Sequence, residues 1–552
     1  MSSRGGRLFH LRSVWREYPH HTALGLIALT AVVRFAFVAS GQLDLVQDEA
    51  QYWTWSRNLH MSYYSKGPLI AWMIAGFTSI FGDTECGVRF GAVLGSSLAQ
   101  IVLYLGLGVL MQRARLAVIA LFVLNTTPLF MVGGVLMTTD NPLLLCWLAA
   151  LFCLHAAAVR PERAWPWLVF ALSMAVGLLA KYTMLIVAVI AVLHAFGLYR
   201  LGLLPKGHVR RLACALVVGV VTGLLPIVAW NAQNDWVSFR HVGRLAGMAP
   251  AAGKAVAFVT LKYVPEYLGG QLGLVYPWWL AFMLCGGVAA VKRGWLFSRR
   301  FFPAKGEALP LSPDARDIAR ADVLFSAGFW PIFLFFFIWS FHTRIYANWP
   351  AMCYVAGIVL AARAMDALLE AYRGRAGQAP WTRTLLPLWV GLSFVLCVAI
   401  HAQEPVSRIL PAAYNPAMRL KGWEDLGRRL GEIRDAMPNP EKVFFFSDAY
   451  DVTSELAFYV PGKPVTFCAD FGRRLNQFDF WPDPEGREGW DAVFVRRAPF
   501  TSVPPLLRTM FATIGEPEAY ASTHRGAPGR TFGIVVVRHF NGIWPRVSKG
   551  IY

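Results

Sequence analysis

Between residues 22 and 402 the chain returns repeatedly to runs of about 20 mostly apolar residues, the length an α-helix needs to cross the hydrocarbon core of a bilayer. A backbone buried in lipid must satisfy its own hydrogen bonds, so such runs fold as helices packed into a bundle. Eleven spans fit the pattern, at about 22–41, 86–110, 116–134, 142–159, 166–180, 182–200, 212–230, 276–291, 323–340, 347–362 and 384–402. With 56% hydrophobic and only 15% charged residues, the composition excludes an ordinary soluble protein.

The net charge of +19 does not point to nucleic acid, because the basic residues are spread over short loops. Alternate loops carry them, as the bias of Lys and Arg toward the cytoplasmic side predicts. Arg113 and Arg115, Arg160 and Arg163, and the arginine-rich segments near 200–211, 292–320 and 363–383 lie on one side with the N-terminus. Segments 42–85, 135–141, 231–275, 341–349 and everything after 403 lie on the other. The first apolar run lacks a small-residue cleavage site and reads as a retained anchor. Six of the eight cysteines fall within spans, and only Cys86 and Cys468 lie near the oxidising face.

The loop 42–85 reads as two interfacial helices, DEAQYWTWSRNLH and PLIAWMIAGFTSIFG, with Tyr52, Trp53 and Trp55 at membrane depth. A second large loop, 231–275, has the same character, and the two are placed to roof one cavity. After residue 403 the strand-like runs VFFFSD, DAVFVRR and FGIVVVRHF alternate with the helix-like KGWEDLGRRLGEIRDAM, which predicts a small α/β domain outside the membrane. It carries no Gly-rich nucleotide motif.

The candidate chemistry converges on the non-cytoplasmic face. Asp48 and Glu49 open the first interfacial helix about 100° apart, so they do not share one role. Asp48 reads as a functional acid or as a helix N-terminal acid facing the dipole. Lys66, in YYSKGPLIAW, suits an acid partner or a phosphate, or else snorkels to the headgroups. Asp140 opens the fourth span in TTDNP, where the bland account is an N-cap; Lys181 lies between two closely spaced spans. Arg240 and His241 sit in the second large loop, and Arg344, Tyr346 and Asn348 in HTRIYANWP. The gathering of Lys66, Lys181, Arg240 and Arg344 on this face runs against the positive-inside bias and points to an anionic ligand.

In order along residues 44–363, DEAQYWTWSRNLHMSYYSKGPLIAWM, FGDTECGVRF, TTDNPLLL, AKYTM, WNAQNDWVSFRH, GGQLGL and ANWPAMCY resemble glycosyltransferase family 39 in its bacterial form. These are the GT-C membrane enzymes related to protein O-mannosyltransferases and the lipid A aminoarabinose transferase. The resemblance implies a GT-C fold and transfer, on the periplasmic side of the inner membrane, of a sugar from an undecaprenyl-phosphate-linked donor. The acceptor it implies is lipid A, lipopolysaccharide, another envelope glycan or a protein. It assigns Asp48, with Glu49 and Asp140, to catalysis. Lys66, Lys181, Arg240, Arg344 and Tyr346 are assigned to the donor phosphate, and Tyr63, Tyr64, His241 and Asn348 to the cavity or acceptor.

The chain departs from the aminoarabinose-transferase pattern at Gln51, where that pattern has arginine, at Ser65, where it has glutamate, and at Gly67-Pro68, where it has two prolines. The same substrate is therefore not expected, and neither a required metal nor another cofactor is. The competing classes are a lipid transporter or flippase, which predicts inverted repeats and broken helices, and a non-catalytic assembly factor.

Overall fold

The computed structural model describes residues 15–245, 259–301, 312–374, 380–409, 420–500 and 502–546. The membrane region begins with α1 (Pro19–Ala39), α2 (Gln47–Ser56), α3 (Leu69–Phe81), α4 (Glu85–Tyr104), α5 (Ala114–Asn125) and α6 (Pro128–Gly133). It continues with α7 (Asp140–Val159), α8 (Trp165–Ala180), α9 (Ile186–Arg200), α10 (His208–Gln233), α11 (Val237–Leu245) and α12 (Val264–Val275). It closes with α13 (Pro277–Phe301), α14 (Pro313–Trp339), α15 (Cys353–Gly374), α16 (Pro380–His401) and α17 (Gln403–Ile409). Local chemistry sets the boundaries. Thr84 caps α4 by accepting a hydrogen bond from the Gly87 amide at 3.0 Å, and Ser312 caps α14 with Pro313 in its first turn.

Among the described residues, six helices are long and apolar enough to cross a bilayer, so the protein is a multi-pass membrane protein. A seventh span is made if α12 and α13 count as one broken segment, bent by 96°. Tyr276 takes a left-handed φ of 62° at that bend and Pro277 starts the next helix. The expected count of eleven is therefore not established.

Two expected spans are interrupted. The run 116–134 breaks between α5 and α6, where the Thr126 and Thr127 hydroxyls bond back to the Phe122 and Val123 carbonyls and Pro128 supplies no amide. The run 347–362 becomes α-helical only at Cys353. All eight cysteines are free, and Cys468 is buried in the C-terminal sheet.

That sheet belongs to a domain built from α18 (Trp423–Asp435), β1 (Val443–Ser447), α19 (Tyr450–Tyr459), β2 (Thr466–Cys468), β3 (Asp491–Arg496), α20 (Leu507–Met510), β4 (Phe511–Ile514), β5 (Glu518–His524) and β6 (Ala527–Phe540). The strand order is β2-β1-β3-β6-β4, with β5 paired to β6. β1 runs parallel to both neighbours and is buried at every position, as expected of a strand covered on both faces.

The domain is fastened to the first loop. α19 packs on α2, with Phe458 edge-to-face on Trp53 at 5.0 Å. The Leu45 amide donates to the Tyr459 hydroxyl at 2.6 Å. Asp44, almost fully buried, accepts from the Trp423 amide at 2.7 Å and lies 3.2 Å from His524. This corrects the reading of Tyr52, Trp53 and Trp55 as an aromatic belt: all three are buried in a protein core that includes Ala457 and Phe458.

Candidate active site

The two acids that open α2 have different surroundings. Glu49 is fully buried against Arg89 of α4, with nitrogen–oxygen separations of 2.7 and 3.1 Å. It also accepts from the Met137 amide at 2.7 Å and the Val46 amide at 2.9 Å. Arg89 spends its other donors on the Leu43 and Asp44 carbonyls. The carboxylate expected in catalysis is thus closed off: its oxygens are engaged by groups that tie α2 to α4 and to the segment leading into α7. Asp48, one residue earlier, is exposed to solvent. Protein still surrounds it closely enough that desolvation raises its pKa above the usual carboxylate value, opposed first by Lys66 and also by Lys181. Asp48 therefore lines a recess.

Lys66 reaches that recess because of its neighbour. A Cβ on Gly67 would lie 2.1 Å from the carbonyl oxygen of Leu179, so only glycine permits the first loop to seat on the last turn of α8. Lys181 follows two residues after Leu179, in extended conformation at the break between α8 and α9. Its ammonium donates to Asp140 at 2.7 Å, at the start of α7. Lys66 is half-buried and, among the described residues, has no carboxylate within ion-pair distance. Its pKa is lowered by burial first and by the charge of Lys181 next, while Asp140 and Asp48 pull the other way. Asp48, Lys66, Asp140 and Lys181 therefore form one electrostatic group.

Asp140 also borders an apolar cavity of about 300 Å³ that runs among α1, α4, α6 and α7. Thr138 and Asn348 stand on its wall, and Arg34 lies within it. Arg34 is a buried arginine that donates to Ser96 and Asn125 at 3.2 and 2.8 Å.

The remaining expected residues divide. His241 is nearly buried and tilts against the Tyr64 ring at 4.5 Å. Burial, then Arg474 and Lys66, lower its pKa to about 4, so it is neutral at pH 7. Tyr63 serves the loop: its ring stacks on Trp55 at 4.5 Å and its hydroxyl donates toward the Trp55 and Asn58 carbonyls. Arg240, the residue before His241 on α11, is exposed. Arg344 and Tyr346 are not brought to the group; Arg344 is exposed, bonds Glu266 at 2.6 and 2.8 Å and lies over the Tyr346 ring. Part of the second loop, 246–258, lies outside the described residues.

Residues absent from the sequence reading also belong here. Arg89 signalled itself as a charge in an apolar run a few residues after an acid-rich loop. Tyr450 and Arg474, from the C-terminal domain, had no sequence signal linking them to residues 400 positions away. Burial raises the Tyr450 pKa, with the charge of Asp48 adding to it and Arg474 opposing it through a hydrogen bond.

Residues 65–230 match the family model for dolichyl-phosphate-mannose-protein mannosyltransferase. Over 328 residues the chain is 27% identical to the lipid A galacturonosyltransferase RgtD of Rhizobium johnstonii, covering 58% of this chain and 60% of that protein. It is 25% identical to the undecaprenyl phosphate-alpha-4-amino-4-deoxy-L-arabinose arabinosyl transferase 1 of Sodalis glossinidius, covering 37% of this chain and 38% of that one. The chain thus spans less than two thirds of either curated relative. The crystal structure of ArnT from Cupriavidus metallidurans bound to undecaprenyl phosphate superposes with a TM-score of 0.59 at 16% identity, over 93% of this chain and 97% of that one. The chain therefore has the GT-C fold and is a relative of the membrane glycosyltransferases that share it.

Proposed function

We propose that this protein transfers a sugar from an undecaprenyl-phosphate-linked donor to a glycolipid acceptor of the cell envelope, on the periplasmic side of the inner membrane. The observation that carries the reading is the pairing of an open acid with an open base. Asp48 and Lys66 face one recess without a mutual salt bridge, beside an Asp140–Lys181 pair whose Asp140 borders an apolar cavity. Such a recess suits a substrate that is lipid at one end and anionic at the junction. The activities named for the two curated relatives, on lipid A and on an undecaprenyl-phosphate sugar, fit the same chemistry.

In this mechanism the acceptor hydroxyl attacks the anomeric carbon while the bond from that carbon to the phosphate oxygen breaks, and the electron pair leaves with the phosphate. Lys66, half-buried beside Asp48, stabilises the charge growing on the phosphate. Asp48 accepts the hydroxyl proton, the role a positioned carboxylate plays in general base catalysis. Where the acceptor is an ionised phosphate, Asp48 orients it instead. Lys181 is held by Asp140, so this pair shapes the wall of the recess. A single displacement inverts the anomeric centre.

The test is transfer of radiolabelled sugar from an undecaprenyl-phosphate donor to lipid A by purified protein in detergent, where no barrier supports transport. Labelled lipid A, lost in Asp48→Asn and Lys66→Ala variants that keep their thermal midpoint, is the expected result. Absence of transfer to any envelope glycolipid, or full activity in both variants, overturns the reading.

A further inference from the structure

The loop 469–480 of the C-terminal domain carries two adjacent arginines with different employment. Arg473 is consumed by the loop itself: it forms a two-pronged pair with Asp479 at 2.7 and 2.8 Å and donates to the Ala469 and Cys468 carbonyls at 2.9 and 2.7 Å. Asp470 accepts from the Gly472 and Arg473 amides, and Asn476 caps the turn that follows. The backbone at Arg474 is therefore held by bonds on both sides. The Arg474 side chain is exposed and, among the described residues, forms no salt bridge.

The next residues fix where this arginine stands. Leu475 and Phe480 pack on a cluster of Tyr64, Trp230 and Val237, which joins the first loop to the end of α10 and the start of α11. Gln477 accepts from the Tyr64 amide at 2.7 Å. The Ser238 hydroxyl donates to the Tyr63 carbonyl at 2.9 Å, so both membrane-side loops meet at the same seam. Tyr64 lies two residues before Lys66. The Arg474 charge reaches His241, whose imidazole also feels Lys66 and whose ring lies against Tyr64 at 4.5 Å. Arg474 also hydrogen-bonds Tyr450, which feels Asp48.

We propose that Arg474 is a ligand of the polyprenyl carrier's phosphate together with Lys66, so that the C-terminal domain completes the binding site. This rests on the reading above that a lipid-linked phosphate occupies the recess. A guanidinium offers two parallel donors to a phosphate, which a lone ammonium does not. His241, which feels both cations and is neutral, adds no repulsion of its own.

The experiment measures binding of undecaprenyl phosphate to full-length protein in detergent, with a lipid A preparation as the second ligand. Arg474→Ala is expected to weaken undecaprenyl phosphate about tenfold or more, as loss of a charged contact does, with Arg474→Lys intermediate and lipid A binding unchanged. Unchanged undecaprenyl phosphate affinity, or a loss confined to lipid A, overturns the assignment. Arg474→Gln, with its thermal midpoint checked, replaces the alanine variant if that one does not fold. Lys66→Ala separates the two claims: if it too leaves affinity intact, the phosphate does not bind in the recess and the functional reading fails. If it alone loses affinity, only the role of Arg474 fails.

Discussion

The two faces of α2 handle charge in opposite ways. On the face toward the bundle, Glu49 and Arg89 are buried, paired and hydrogen-bonded to backbone on both sides. On the face toward the recess, Asp48 and Lys66 are neighbours in potential but not in contact. A buried ion pair with every valence satisfied holds a fold in one arrangement, and breaking it leaves an uncompensated charge. An open pair stores nothing for the fold and keeps its donors and acceptor free for a ligand.

The sharpest way to break this contrast is to remove one charged partner from each face in turn. Asp48→Asn is expected to lower kcat by about 10²–10⁴, the range for loss of a general base, with the thermal midpoint unmoved. Because burial raises the Asp48 pKa, the wild-type kcat/KM should fall with decreasing pH at a value above that of a free carboxylate, and this limb should vanish in the variant. Arg89→Ala should do the reverse, destabilising the protein by about 3–5 kcal/mol, read as loss of folded protein in detergent; a stable, inactive Arg89→Ala would erase the distinction.

Gly67→Ala is intermediate. It leaves every charge in place but forces the first loop off Leu179, so activity should drop on the order of tenfold or more with little change in total stability. Retained activity would mean that the position of Lys66 is not set by that contact.

The smallest effect concerns Glu455 of α19. It is fully buried at the domain junction, and neither oxygen has a hydrogen-bond partner among the described residues. Burial raises its pKa well above 4.5, and the charges of Asp44, Glu49 and Glu85 push the same way against Arg89. The folded state thus holds the proton more tightly than the unfolded chain. Its contribution to stability is full below the unfolded pKa and is lost as pH rises toward the folded one. Glu455→Gln should therefore raise the thermal midpoint by a few degrees at pH 8, on the order expected for about 1 kcal/mol, and leave it unchanged near pH 4.

Much of this arrangement was legible in the residues. Apolar length marked the bundle, alternating apolar runs marked three of the six strands, and Asp48, Lys66, Asp140 and Lys181 stood out as charges at span ends. What was not legible depended on contacts between distant segments. The tryptophans of α2 looked like membrane-interface residues because aromatic composition is the same whether lipid or α19 covers them. The helical offset separated the roles of Asp48 and Glu49, but which of them is buried was not legible, because the partner of Glu49, Arg89, lies on another helix. Arg344 looked like a phosphate ligand until Glu266, 78 positions earlier, was found beside it.

The contact of Gly67 with Leu179 has a mechanical meaning. With no side chain between them, the loop bearing Lys66 and the helix end bearing Lys181 form one jaw whose spacing does not adjust. Arg474 and Tyr450 ride on the other jaw, a separate domain held by hydrogen bonds and aromatic contacts. The two jaws meet at the first loop itself, because Gln477 accepts from the Tyr64 amide two residues before Lys66, so the position of Lys66 is set from the membrane helices on one side and from the C-terminal domain on the other.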